Sequence, residues 1–126
     1  MKLTIQQQRA KFALERIQAL PPKLKPKEQK EFISYANNLP AMIHMNGLGQ
    51  AAAFCKLKSK DRLAYGALYQ LLSDWLSQSG QPYAQQKDLL SGITQSDMAH
   101  YQLAQAEALV FMSWVKKFAK AFLAED

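Results

Sequence analysis

Three groups of residues in this chain could do chemistry by type and spacing. The first is Gly47-Leu48-Gly49-Gln50-Ala51-Ala52, which fits G-x-G-x-x-A, the pattern of a loop that cradles a dinucleotide pyrophosphate. Such a loop works only after a β-strand and before a helix, with an acid about 20 positions on to hold the ribose. No strand–helix alternation occurs in this chain, and Asp61 comes too early and Asp74 somewhat late. The second group is His44, Cys55 and His100, whose spacing matches no common metal-ligand pattern. The third is His100 with Glu107, a pairing suited to acid–base chemistry. Both fall on one helical stripe with Ala104, Phe111, Val115, Phe118 and Phe122. On such a stripe, satisfaction by partners on other helices is much the commoner outcome. The expectation is no catalytic residue, no metal, no cofactor and no small-molecule substrate.

Charge says more. Sixteen Lys and Arg against ten Asp and Glu give a net charge of +6, a balance that favours a polyanionic partner. The cations are clustered: Lys23, Lys25, Lys27 and Lys30; then Lys56, Lys58, Lys60 and Arg62; then Lys116, Lys117 and Lys120. The first cluster carries Glu28 and is followed by Glu31, which points to a solvated face. For the second, a phosphate contact competes with a solvated loop. For the third, it competes with compensation of a helix C-terminal dipole. Ile5, Arg9, Phe12 and Arg16 fall on one shoulder of a first helix, suited either to a subunit or RNA contact or to packing within the chain.

The elements that position these residues are helical nearly throughout. Thr4-x-x-Gln7 reads as a capping box opening a helix that runs to about Leu20, before Pro21-Pro22. Pro26 starts a short second helix through Phe32, Tyr35 and Ala36, and Pro40 suits the first turn of a third, from about Leu39 to Phe54. Ser59 is a good N-cap for a fourth helix, with Asp61 in its first turn. Its stripe is Tyr65, Leu68, Tyr69, Leu72, Trp75 and Leu76. A short helix lies around Asp88 to Gly92. Thr94-x-x-Asp97, or Ser96, caps a last helix to about Leu123. The fold class is all-α: one compact domain over residues 1–126, a bundle of about five to six helices with no sheet.

In a continuous third helix, Gly47 and Gly49 would each cost about 1 kcal/mol relative to alanine, a cost that makes sense where another helix approaches closely. Asn46 would sit beside that groove and bond to a neighbouring backbone, and Ala51 to Ala53 would extend the thin surface. A helix break at Gly47–Gly49 is the competing reading. Composition adds that disorder is unlikely at 48% hydrophobic and 21% charged. The single cysteine forms no internal disulfide. No window reaches the roughly 18 apolar residues of a membrane span, and the chain reads as cytoplasmic.

The run LPAMIHMNGLGQAAAFCK, preceded by Tyr35-Ala36, resembles the signature of the small, fifth subunit of the Cmr effector complex, a type III-B CRISPR assembly. The likeness extends to Arg9-Ala10, to the Tyr69–Leu76 region and to Trp114-Val115-Lys116-Lys117-Phe118-Ala119, and so covers most of the chain in order. Only the link from Ser77 to Gln95 carries no recognisable feature. The resemblance implies a non-catalytic, all-helical antiviral-defence subunit that lines up with copies of itself beside the repeating backbone subunits, along a basic groove holding guide and target RNA.

On that reading the candidate RNA-binding residues are Arg9, Arg16, Lys56, Lys58, Lys60, Arg62, Lys116, Lys117 and Lys120. Ile5, Phe12, Asn46, Gly47 and Gly49 are candidates for helix packing and assembly. Two rivals stand: a freestanding helical DNA-binding regulator, which needs arginine, asparagine or glutamine reaching base edges, and a helical adaptor that binds only protein.

Overall fold

Thr4 opens the first helix through the capping box its sequence predicts. Its Oγ1 accepts from the Gln7 N–H at 3.1 Å, and Gln7 Oε1 accepts from the Thr4 N–H at 2.8 Å. The structure is a computed structural model that describes residues 2–124. It contains α1 (Ile5–Gln18), α2 (Pro26–Lys58), α3 (Leu63–Leu76), α4 (Leu89–Gln95) and α5 (Met98–Phe122), with no strand among the described residues. The all-α expectation holds.

Several boundaries differ from the sequence reading. Pro40 does not start a helix: α2 runs through it from Pro26. Proline there forgoes one i→i−4 hydrogen bond, but Phe32, Ala36, Leu39 and Ile43 form one buried stripe on both sides of it, and their burial holds the helical path. Ser59 is not an N-cap. It closes α2, its hydroxyl donating to the Lys56 carbonyl at 2.6 Å, and Arg62 stands at the start of α3, so Asp61 lies outside that helix. The last helix is capped by Asp97, whose Oδ1 accepts from the His100 N–H at 2.9 Å. Neither Thr94 nor Ser96 caps it; the Thr94 hydroxyl donates to the Leu90 carbonyl instead.

The break in α2 falls at Gly47, with φ 89° and ψ 159°, a backbone region open essentially to glycine alone. Tyr35 and Phe54 both touch the Tyr65 ring, at centroid distances of 3.7 and 5.6 Å. In a straight helix, residues so far apart in sequence would be separated by about 28 Å. The chain therefore folds back at Gly47, making α2 two arms of a helical hairpin. The N-terminus of the second arm is capped by α5: Gln105 Oε1 accepts from the Leu48 N–H at 2.8 Å, and the Tyr101 hydroxyl accepts from the Gly49 N–H at 2.9 Å. A Cβ on Gly47 would lie 3.1 Å from the Tyr101 hydroxyl. Break and close approach thus occur together, with a tyrosine side chain as the approaching group. Asn46 is exposed, and the backbone bond expected of it does not form among the described residues. The small-residue surface also stops short, since Ala51 and Ala52 are buried but Ala53 is exposed.

Helix directions follow from the paired residues. Arg9–Glu107 and Phe12–Phe111 advance together, so α1 runs parallel to α5. Leu48–Gln105 and Gln29–Ala124 run in opposite senses, so the first arm of α2 is antiparallel to α5. The predicted α3 stripe is buried through Leu68, Tyr69, Leu72, Trp75 and Leu76. The link after α3 is organised by Tyr83, wholly buried with its ring against Gly92 of α4. Burial pushes the Tyr83 phenol up to about 12.

Candidate nucleic-acid interface

The basic clusters, far apart in sequence, are sorted by the fold. Lys116, Lys117 and Lys120 on α5 face Lys30, Ile33, Ser34 and Asn37 on the first arm of α2 across a groove of about 620 Å³. Among the described residues no carboxylate lines it. Sequence reasoning set the 23–30 cluster aside because of its acids, yet both acids are engaged away from this groove. Glu28 Oε1 accepts from the Lys25 N–H at 2.9 Å, and Glu31 pairs with Arg62 at 3.6 Å. The signal that could have found this wall is the spacing 30, 33, 34, 37, which marks one helical face.

The other candidates are placed differently. Arg9 is only 15% exposed, and its Nε and Nη2 donate to the two Glu107 oxygens at 2.7 and 2.8 Å. The same carboxylate accepts from Trp75 Nε1 at 2.9 Å. This is the satisfaction on other helices expected of a stripe acid, and it commits the Arg9 guanidinium to Glu107. His100 departs from that stripe: it is exposed, paired with Asp97 one turn back. Arg16 pairs with Asp74 at 2.6 Å and lies over the Phe12 ring, which packs against Trp75 and Phe111. The α1 shoulder is thus an internal contact, apart from Ile5, which is 44% exposed. With Arg62 on Glu31, every arginine in the chain is committed to a carboxylate.

Lys56 lies over the Tyr69 ring at 5.0 Å, and Lys58 over Phe54 at 5.7 Å. Lys60 is exposed, without an ion pair among the described residues. Hence the 56–62 cluster does not join the groove; it rims the α2–α3 corner. Cys55 is buried, its thiol pushed up to about 11 by desolvation, and neither histidine approaches it to form a metal cluster among the described residues. Among the described residues no helix is long and apolar enough to cross a membrane.

Comparison with known proteins agrees with this architecture. A family model for the CRISPR-associated protein Cmr5 matches residues 5–122. The chain belongs to the Cmr5 family. A crystal structure of a CRISPR-associated Cmr5 family protein from Thermus thermophilus superposes with a TM-score of 0.76 at 27% identity, covering 98% of this chain and 100% of that one. Membership makes this chain a small subunit of a type III-B Cmr complex, a structural component that associates with the other subunits. The resemblance seen in the sequence is the right one, and the bundle described above is that family's fold.

Proposed function

We propose that this subunit is non-catalytic and holds guide or target RNA by its phosphates in the α2–α5 groove, while its apolar surface joins it to the backbone subunit and to neighbouring copies in antiviral defence. The observation that carries the reading is the convergence of Lys30 with Lys116, Lys117 and Lys120. Compensation of the α5 C-terminal dipole accounts for cations near Phe122. That compensation does not bear on Lys30, which reaches the groove from α2. Lys116, Lys117 and Lys120 are like charges gathered on one stretch of α5, and a polyanion that releases its counterions on binding offsets their mutual repulsion. Because the arginines are all paired, the cations the groove offers are lysine point charges, which suit phosphates better than the bidentate reading of base edges. This favours RNA holding over the DNA-reading regulator.

For the subunit contact, Ile5, Leu103 and Val110 are 44%, 62% and 44% exposed. Leu103 and Val110 are seven positions apart on one face of α5, and Ile5 and Leu103 line one depression. A protein partner would cover these apolar groups.

The test is charge reversal at Lys116 and Lys117 in the assembled complex, with RNA retention measured across a salt series. Each lost phosphate contact should flatten the log–log salt slope by about 0.7 for single strands, with the thermal unfolding of the subunit unchanged. Identical affinity and slope would remove the groove from the RNA path.

A further inference from the structure

The groove does not end at α2. A second depression of about 470 Å³, lined by Lys27, Lys30, Glu31 and Ser34, shares Lys30 and Ser34 with it. At about 100° per residue, the order round the first arm of α2 is Ile33, Asn37, Lys30, Ser34, Lys27, Glu31, Tyr35. These positions pass from the α5 side over the exposed face to the α3 side. The single acid on the way, Glu31, is paired with Arg62 at 3.6 Å, which mutes its repulsion toward a phosphate.

At the far end stands an aromatic cluster. The Tyr35 ring lies flat on Tyr65, with centroids 3.7 Å apart and planes 9° from parallel, and Phe54 meets Tyr65 edge-on at 5.6 Å and 85°. Lys58 lies over Phe54. Tyr35 and Tyr65 are each part-exposed, and Tyr35 has no ring partner beyond Tyr65 among the described residues. A cationic track that runs into aromatic rings is the arrangement that holds unpaired strands, because every base offers a π-face whatever its sequence.

We infer that the Tyr35–Tyr65 pair is a stacking site for an unpaired nucleobase of the strand whose phosphates occupy the α2–α5 groove. The inference rests on the RNA reading above and adds to it a ligand class: single-stranded RNA with its bases turned out, in preference to a duplex.

The experiment compares two probes on the purified chain. One is a single-stranded oligouridine of about ten nucleotides; the other has the same length and phosphates but abasic sugars, a length within the usual footprint of such tracks. Wild-type protein should bind the base-bearing strand roughly tenfold more tightly at equal salt slope. Tyr35→Leu should abolish that preference and keep the slope, with folding verified by thermal melting. Equal wild-type affinity for the two probes overturns the stacking site without any variant being needed. A preference that survives in a folded Tyr35→Leu overturns it too. If neither probe shows salt-dependent binding, the groove reading itself fails and takes the stacking site with it.

Discussion

Replacing Glu107 by alanine removes one carboxylate that accepts three hydrogen bonds, two from Arg9 and one from Trp75. It leaves a guanidinium and an indole N–H without their acceptor at a site where Arg9 is 15% and Glu107 12% exposed. Breaking a fully buried ion pair from one side costs about 3–5 kcal/mol. Hydrogen bonds to charged groups contribute about 1.5–3 kcal/mol each. Water can reach part of this site and solvate the freed Arg9, so the lower end applies, and a loss of about 2–3 kcal/mol is expected. For a chain of this length that lowers the midpoint of thermal unfolding by roughly 7–12 °C. Circular dichroism and urea titration would read it, with the near-ultraviolet signal of Trp75 as a local reporter. The double variant Arg9→Leu/Glu107→Leu, which removes both charges while keeping apolar bulk, should recover most of the loss. Arg9→Ala should cost stability yet leave the RNA salt slope of the complex untouched. A Glu107→Ala loss under about 0.5 kcal/mol would refute the strut, since that is the scale of a solvated surface pair. A shallower RNA slope in Arg9→Ala would return that residue to the RNA surface.

Gly47→Ala and Gly80→Ala both place a side chain at positive φ, 89° and 87°. A Cβ at Gly47 meets the Tyr101 hydroxyl at 3.1 Å, whereas at Gly80 it meets nothing within 4 Å. Gly80→Ala should cost about 1 kcal/mol from backbone conformation alone and Gly47→Ala clearly more; equal urea midpoints would show that Tyr101 yields freely. Gly92→Ala would set a Cβ 2.4 Å from the Tyr83 ring and should lose about 3 kcal/mol by overpacking. A loss below about 1 kcal/mol would mean the link after α3 can shift aside. Asp88 accepts from the Ser91 N–H at the start of α4, which holds its carboxyl below the usual 3.8. A depressed folded-state value stabilises the native form above that pH and ceases to do so as pH falls through the folded value. Asp88→Asn should therefore flatten the acid limb of the stability profile, and an unchanged limb would show that the carboxylate charge contributes nothing there.

Helical periodicity, caps and the order of motifs are local properties, and the sequence carried them well. The Thr4 capping box, the α3 stripe and the all-α class depend on residues within a few turns of one another. Pro40 misled for the same reason in reverse, as a good local signal that a buried stripe overrides, and Ser59 misled because its hydroxyl donates to a carbonyl at the end of α2 as readily as it would cap a helix start. The glycine pattern was ambiguous because helix break and close approach call for the same residue. Only the position of Tyr101, more than fifty residues away, shows that both requirements meet at Gly47.

What the amino-acid order determined alone is the family, the helical class and the excess of lysine. Which of those lysines share a surface was decided by tertiary structure. The fold-back at Gly47 and the antiparallel run of α5 bring Lys30 opposite Lys116, Lys117 and Lys120, while α1 delivers Arg9 to Glu107 instead of to solvent. Charge is a property of each residue, but a charged groove is a property of how helices pack. Packing is set by the burial of stripes whose partners lie far away along the chain, which no local pattern records.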